Sequence, residues 1–183
     1  MFMEMYLMRK SVLLLISLLL AVWLPSCTPK PQEFKSEAGR FAVTAPKTLQ
    51  ESTQDLELQS GKITLYLFST QQDNIGYFVS YCDYPPETMA HGDPEKMLDG
   101  SRDGALSNAK GKLLSETKIT LEGNPGRELV MEATDETGRA ATIKERLFMV
   151  KNRLYQVVVV APRSQAGDKE VDQFLQSFKL LGQ

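Results

Sequence analysis

Apolar and polar residues alternate with a period of two along most of the chain after residue 38. The alternating segments are rich in aromatic and β-branched residues and are bounded by turn-forming residues, which is typical of β-strands. Residues 157–160 are all valine, which predicts a central strand of a sheet that is covered on both faces. The predicted strands are 39–46, 62–70, 75–84, 112–122, 126–134, 139–150 and 153–162.

Short polar interruptions between these segments predict hairpin turns. Pro125 presets φ and Gly126 tolerates positive φ, so the segment Asn-Pro-Gly suits a turn before the strand that begins at residue 126. The other predicted turns are Ser60–Gly61, Asp73–Asn74 and Lys151–Asn152.

Two stretches depart from the period of two and predict helices. In residues 91–111, Asp93 is suited to the N-cap position and Pro94 to the first helical position. In residues 167–182, the apolar side chains of Val171, Phe174, Leu175 and Phe178 follow the i, i+3, i+4, i+7 spacing of an amphipathic helix. The order of elements predicts an α+β fold with an antiparallel sheet of about six to eight strands, packed by two main helices.

The N-terminal region has the pattern of a signal peptide. Arg9 and Lys10 precede an apolar stretch of about 13 residues within 11–24. This stretch is too short to span a bilayer comfortably, since spanning requires about 20 apolar residues. The first translated residue is open between Met1 and Met8, because a complete signal start already begins at Met8.

The sequence Leu-Pro-Ser-Cys at 24–27 resembles the bacterial lipobox. The resemblance implies cleavage after residue 26 and a diacylglyceryl group on Cys27, whose acyl chains would hold the protein on a membrane. Residues 27–32 then form the lipidated cysteine and a polar tether, and 33–183 form one domain. We expect a location in the bacterial cell envelope. Thr28 after the cysteine favours the outer membrane, facing the periplasm.

Composition and charge exclude some classes of function. Removal of residues 1–26 leaves 157 residues and changes the net charge from −2 to −3, so no basic surface for nucleic acid is expected. With Cys27 lipidated, Cys82 is the remaining cysteine and cannot form an intramolecular disulfide.

The order of motifs resembles the PsbP-like superfamily, in particular its uncharacterised bacterial lipoproteins. The resemblance rests on an N-terminal hairpin at 33–46, a helix that opens at 93, the segment GNPGREL, the segment RLFMVKNRLYQVVVV and a closing helix VDQFLQSFKLL. It implies an α/β/α sandwich over about residues 33–181. Members differ in function, so the resemblance implies no binding residue here.

Few residues in the chain carry catalytic or ligand-binding chemistry. His91 is the only histidine, and Cys82 lies in a predicted strand without a local base. No phosphate-loop spacing, metal-ligand set or cofactor motif is present, so we expect no enzyme activity, no metal and no cofactor. Cys82 is expected to be buried and inert.

Two features of the strands suggest binding. Lys144, Arg146, Lys151 and Arg153 frame one hairpin and form a candidate partner-binding site for an acidic partner or lipid headgroups, although alternating charges on an exposed strand face give the same pattern. The strand aromatics at 66–84 suit either a ligand groove or core packing. The sequence favours a non-catalytic binding or assembly module with an envelope protein partner. The alternative is a carrier or enzyme that acts on a small or lipidic ligand in a sheet groove.

Overall fold

The computed structural model describes residues 30–58, 61–90, 92–134 and 138–182. The predicted signal peptide, the lipidation site Cys27, the predicted turn residue Ser60 and the lone histidine His91 lie outside the described residues. Within these ranges, no helix is both long enough and apolar enough to cross a bilayer.

The described residues form strands and helices in the predicted α+β order. The strands are β1 (Gln32–Ser36), β2 (Phe41–Ala45), β3 (Gln50–Leu58), β4 (Gly61–Gln72), β5 (Ile75–Asp83), β6 (Lys112–Leu121), β7 (Asn124–Thr134), β8 (Ala140–Val150), β9 (Arg153–Pro162) and β10 (Lys179–Leu180). The helices are α1 (Pro86–Ala90), α2 (Pro94–Ala109) and α3 (Lys169–Gln176). Strands β3 to β9 build one antiparallel sheet in the order β3-β4-β5-β9-β8-β7-β6, and a small sheet has the order β1-β2-β10.

The two faces of the large sheet carry separate cores, which confirms the predicted sandwich. On one face, called the α3 face, helix α3 and the small sheet cover Phe68, Tyr77, Tyr81 and Tyr155. On the other, the α2 face, Leu98 of α2 packs with strand residues of β4 to β9, and Met89 of α1 lies against them. The packed helices and the small sheet cover most apolar side chains of the central strands, as a layered domain requires.

Strand β9 lies in the middle of the large sheet, as its four valines predicted. Val157 and Val159 are fully buried on the α3 face, whereas Val158 and Val160 are half-buried on the α2 face. The expectation of complete cover on both faces was therefore wrong for this end of the strand. Val158 and Val160 belong to neither of the two cores, and for this reason they are less buried than Val157 and Val159.

Helix α2 begins as the sequence predicted. The Asp93 carboxylate accepts a hydrogen bond from the backbone N–H of Glu95 at 2.9 Å, and Pro94 is the first helical residue. This side chain satisfies one of the N–H groups that a helix start leaves without a partner. The helix ends at Ala109, and the C-cap residue Lys110 adopts a left-handed conformation with φ 46°.

Helix α3 is shorter than predicted. It ends at Gln176 rather than continuing through Phe178 to residue 182, and Lys179 and Leu180 form β10 beside β2. The Ser177 hydroxyl accepts a hydrogen bond from the backbone N–H of Thr44 at 2.8 Å and donates one to the Phe174 carbonyl at 2.8 Å. Phe178 is buried although it lies beyond the end of α3. Its position in the sequence fits the helical spacing, but the helix stops two residues before it.

The β6–β7 turn lies two residues earlier than predicted. Glu122 and Gly123 have φ values of 52° and 82° and make the turn, while Asn124, Pro125 and Gly126 belong to β7. The Asn124 side-chain amide donates to the Leu121 carbonyl at 3.0 Å and so supports the turn from within the strand. Gly126 is required for space, because a Cβ there would collide with the carbonyl oxygen of Leu147 and the ring of Phe148.

Candidate binding site

The four basic residues of the candidate partner-binding site do not form one surface. Lys144 and Arg146 lie on the α3 face, where Lys144 Nζ contacts Asp172 Oδ1 at 2.9 Å. Arg146 contacts Glu128 Oε2 at 2.6 Å. Both side chains are about three-quarters buried, and the Lys144 pair joins β8 to α3. These two residues therefore stabilise packing within the domain.

Arg153 lies at the opposite end of the same hairpin and is held by several groups. Its guanidinium donates to both carboxylate oxygens of Asp83, at 2.6 and 2.7 Å. It also donates to the Ala38 carbonyl at 3.0 Å, and its central carbon lies 4.3 Å from the centre of the Tyr81 ring. The hydrogen bond to Asp83 raises the pKa of Arg153, so its charge is fixed at any physiological pH.

The β8–β9 turn and the β1–β2 turn enclose a cavity of about 460 Å³. We call it the turn-end cavity. The Tyr155 hydroxyl donates to the Gly39 carbonyl at 2.7 Å and joins the two sheets beneath it. The cavity is lined by Ala38, Arg40, Asp83, Tyr155 and residues 150–153 and 180–182.

The turn-end cavity carries more positive than negative charge. Among the described residues, Arg40, Lys151 and Arg153 line it together with a single carboxylate, Asp83, which is already bound to Arg153. Arg40 and Lys151 form no ion pair with any other described residue. Val150, Leu180 and Leu181 supply apolar wall beside these cations, so the cavity suits a ligand that combines negative charge with apolar surface.

The sequence identified Lys151 and Arg153 but missed Arg40. Arg40 lies in the β1–β2 turn, and it reaches the cavity because β10 pairs with β2 and the Leu181 N–H donates to the Arg40 carbonyl at 2.8 Å. Since β10 was itself predicted as helix, no sequence signal connected this turn to the β8–β9 hairpin.

The turn-end cavity lies far from the start of β1. Gln32 pairs with Ala45, and Lys47 just beyond donates to the Gln71 carbonyl at 3.4 Å, next to the Asp73–Asn74 turn. The cavity lies at the other end of the strands, beside Asp83 and Arg153. The nine residues of β5 separate the two ends by about 30 Å.

A second group of charged residues joins α2 to β6 and β7. Arg127 is 3% exposed and contacts carboxylate oxygens of Glu95, Asp99 and Glu116 at 2.5, 3.3 and 3.0 Å. The hydrogen bond from Arg127 and a further one from Lys118 lower the pKa of Glu95 to about 2. Because Arg127 and Lys118 already contact carboxylates, this network joins α2 to β6 and β7 and offers a ligand no unpaired cation among these described residues.

The strand aromatics contribute mainly to the core. Phe68, Tyr77 and Tyr81 are buried on the α3 face, and Tyr66 stacks on Tyr81 with ring centres 4.6 Å apart. Such cross-strand ring pairs stabilise sheets. Phe78 is half-buried on the α2 face. These rings do not form the ligand groove that the sequence left open.

Cys82 is buried, as predicted, on the α2 face. Its side chain is 4% exposed and packs in the core around Leu98. Burial, with a smaller effect from the Asp83 carboxylate, raises the pKa of the Cys82 thiol to about 11. Among the described residues, no three histidine, cysteine or acidic side chains are grouped as a metal site.

We expect the Cys82 thiol to react slowly with a maleimide probe at pH 7.5, because the thiolate is the reactive form and little of it is present. The rate in the native protein should be at least about a hundredfold below that in denaturant, given the raised pKa. Time-resolved mass spectrometry of the full chain measures both rates. The Cys27→Ser variant restricts labelling to Cys82, and comparable rates in the two states would contradict the assignment.

Comparison with known proteins agrees with this fold. No protein-family model and no curated protein matches the chain. The solution structure of cyanobacterial PsbP (CyanoP) from Synechocystis sp. PCC 6803 is similar, with a TM-score of 0.55 and 10% sequence identity. The match covers 87% of this chain and 95% of CyanoP. The described domain is therefore an α+β protein with a PsbP-like fold.

Two further solved structures are more distantly similar. One is PA94, a protein of unknown function from Pseudomonas aeruginosa, with a TM-score of 0.37, 9% identity and cover of 75% of this chain and 86% of PA94. The other is a Bacteroides thetaiotaomicron protein with a TM-score of 0.46, 13% identity and cover of 85% of this chain and 50% of the other.

Proposed function

We propose that the protein is a lipid-anchored, non-catalytic binding module of the bacterial cell envelope, and that the turn-end cavity binds an acidic segment of a partner protein. The observation that supports this proposal is that Arg40 and Lys151, which have no ion-pair partner among the described residues, lie beside the apolar wall of a cavity of about 460 Å³. An acidic segment with an apolar side chain would bring opposite charge to the cations and cover the exposed apolar wall. The assignment to the lipoprotein branch of PsbP-like proteins rests on the lipobox at 24–27 and belongs to the same proposal.

The position of the proposed lipid anchor is compatible with binding of a partner at the turn-end cavity. From Cys27, the tether reaches β1 at Gln32, and five extended residues span at most about 18 Å. A membrane attached at Cys27 would thus lie near the start of β1, while the turn-end cavity would face away from it. A partner in the aqueous compartment could then approach the cavity without displacing the lipid surface.

The volume of the turn-end cavity supports a second candidate function. Sites for small molecules commonly have volumes of about 300–1,000 Å³, and this cavity falls within that range. A carrier or enzyme for a small or lipidic anion would use the same three cations. Binding of a free anion in place of a protein segment would distinguish this function from the first.

The anchor is tested by fractionation of cells that produce the protein. Wild-type protein should lie in the membrane fraction and incorporate a fatty-acid analogue, and the outer membrane is the expected fraction. Cys27→Ser should lose the label and the cleavage of residues 1–26, because serine cannot receive the diacylglyceryl group. A serine variant with unchanged cleavage and membrane attachment would contradict the anchor.

The cavity is tested with the double variant Arg40→Gln, Lys151→Gln. A short glutamate-rich peptide that contains one leucine should bind wild type, and the double variant should bind it at least about fivefold more weakly, since two charge contacts are lost. Lys96→Gln with Lys112→Gln is the matched control, because both lysines are exposed and lie outside the cavity. Equal peptide affinity of wild type and the cavity variant would contradict the proposed site while leaving the anchor intact.

A further inference from the structure

The two edge strands of the large sheet, β3 and β6, are protected to different degrees against pairing with a further strand. Strand β6 has a bulge between Leu113 and Ser115, and its Glu116 and Lys118 are bound by charged groups of α2 and β7. Strand β3 pairs with β4 without interruption over nine residues and contains neither proline nor lysine. Natural edge strands usually carry bulges, prolines or charged side chains, especially lysines, that prevent a further strand from pairing. The edge at β3 has no bulge, proline or lysine, and its charged side chains are all acidic.

Strand β3 is also exposed on both faces. Residues 50–55 and 57 are all exposed, and Leu56 is half-buried. No described element other than β4 pairs with this strand. An incoming strand would therefore meet no covering helix or loop among the described residues.

The hairpin register identifies which main-chain groups of β3 are free. The β4–β5 turn is a two-residue turn in which Asp73 and Asn74 both have positive φ, so Gln72 and Ile75 form its hydrogen-bonded closing pair. Hydrogen bonding alternates along an antiparallel pair, so odd-numbered residues of β4 from 63 to 71 direct their N–H and C=O groups towards β3. Their partners in β3 are the even-numbered residues. The N–H and C=O groups of Glu51, Thr53, Asp55 and Glu57 consequently point away from the sheet.

The side chains of these same residues give the free edge a negative charge. Glu51, Asp55 and Glu57 share one face with Thr53, because they pair in register with residues of β4 that lie on the α3 face. Asp55 contacts Lys62 at 2.7 Å, whereas Glu51 and Glu57 form no ion pair with another described residue. Within the part of the chain that the structure describes, two carboxylates without an ion-pair partner therefore lie beside four main-chain positions that point away from the sheet.

This charge disfavours a second copy of the chain as the occupant. Two β3 strands paired antiparallel about Gln54 would place Glu51 opposite Glu57, and a register centred on Thr53 would place Glu51 opposite Asp55. Like charges directly opposite each other destabilise a strand pair. A strand with basic side chains at the same positions would instead be attracted.

We propose that β3 is a strand-addition site that binds an extended basic segment of another protein. The segment pairs with the free main-chain groups of Glu51, Thr53, Asp55 and Glu57, and its alternate lysine or arginine side chains face Glu51 and Glu57. Main-chain pairing of this kind provides affinity while alternate side chains provide selectivity. The site is separate from the turn-end cavity and does not depend on lipidation of Cys27.

The proposal is tested with the full chain in mild detergent and a seven-residue peptide of alternating lysine and threonine. The control peptide has glutamate in place of lysine. The lysine peptide should bind at least about tenfold more tightly, as two charge contacts of ordinary strength would give. Hydrogen exchange should slow at the amides of Glu51, Thr53, Asp55 and Glu57, because each would donate to the added strand.

Two variants separate main-chain pairing from charge. Thr53→Pro removes one outward N–H without removing a β3–β4 hydrogen bond, and it should weaken peptide binding by up to about tenfold, whereas Thr53→Ala should stay within about twofold. Glu51→Gln with Glu57→Gln should remove the preference for the lysine peptide over the glutamate peptide. This variant tests the proposal even if Thr53→Pro does not fold. Equal affinity for the two peptides in wild type, or slowed exchange confined to residues outside β3, would overturn the proposal.

Discussion

Phe178→Ala is expected to lower the free energy of unfolding by about 3–5 kcal/mol, as large-to-small changes at fully packed rings do. Phe178 is 5% exposed and stacks against Phe41 and Phe148, with ring centres 5.6 and 6.0 Å away. Tyr155 contacts the same ring at 5.5 Å. Removal of the ring would leave a cavity between the small sheet and the large sheet. Phe174→Ala should have an effect of similar size, because Phe174 is 1% exposed against Tyr77.

Chemical denaturation of the full chain measures this loss, with Phe78→Ala as the matched control. Phe78 is the same residue type in a central strand, but it is half-buried and belongs to neither core. Its replacement should cost less than half as much. Losses below about half a kcal/mol at both Phe174 and Phe178, the range of ordinary surface changes, would show that α3 and the segment after it are not docked as described.

Glu145→Gln is expected to stabilise the protein by up to about 3 kcal/mol at pH 8 and to have little effect near pH 4. Glu145 is 2% exposed on the α2 face, between Leu129 and Val158 in the register. Burial raises the pKa of its carboxyl group to about 7, and a hydrogen bond from Gln156 at 3.1 Å only partly opposes this effect. Glutamine keeps an acceptor for Gln156 and never ionises.

The direction of the pH dependence follows from the two pKa values. The pKa of Glu145 is raised from the ordinary value of 4.5 to about 7 in the folded protein, so between these values the folded state retains a proton that the unfolded state has released. The stability contribution of Glu145 is therefore complete below pH 4.5, falls as the pH rises towards 7 and changes no further above it.

Unfolding curves at pH 4.5, 6 and 8 test this dependence. The difference between Glu145→Gln and wild type should grow with pH. Glu128→Gln on the neighbouring strand is the control, since it removes the partly exposed partner of Arg146 and should destabilise slightly. A Glu145→Gln variant that is less stable than wild type at pH 8 would contradict the prediction.

The regular parts of the fold could be predicted because their signals are local. Alternation identified the main strands, and the Asp93–Pro94 pair located the start of α2 correctly. The prediction was wrong where tertiary contacts decide the structure. Phe178 fits the spacing of a helix, but Ser177 and Lys179 bond to β2 and end α3 two residues earlier.

The candidate site was less accessible to sequence reasoning for the same physical reason. Charges on a strand can be recognised from the sequence, but their partners cannot when these lie on other elements. Lys144 and Arg146 pair with Asp172 and Glu128, whereas Lys151 lies beside Arg40 without an ion-pair partner among the described residues. The Asp73–Asn74 turn, by contrast, is a local motif. Together with the strand register, it determines which residues of β3 direct their main-chain groups away from the sheet.

The strand order of the large sheet also determines which of its pairings closes the longest loop within that sheet. Strands β3, β4 and β5 follow one another along the chain, as do β6, β7, β8 and β9, so each group can pair through short connections. Among the described strands, only the β5–β9 pairing joins these two groups, and its nearest partners, Asp83 and Arg153, are 70 residues apart. Closing that distance costs more chain entropy than any hairpin in the sheet. The pairing of β5 with the valine-rich strand β9 is thus the step that joins two locally formed halves of the sheet into one cooperative domain.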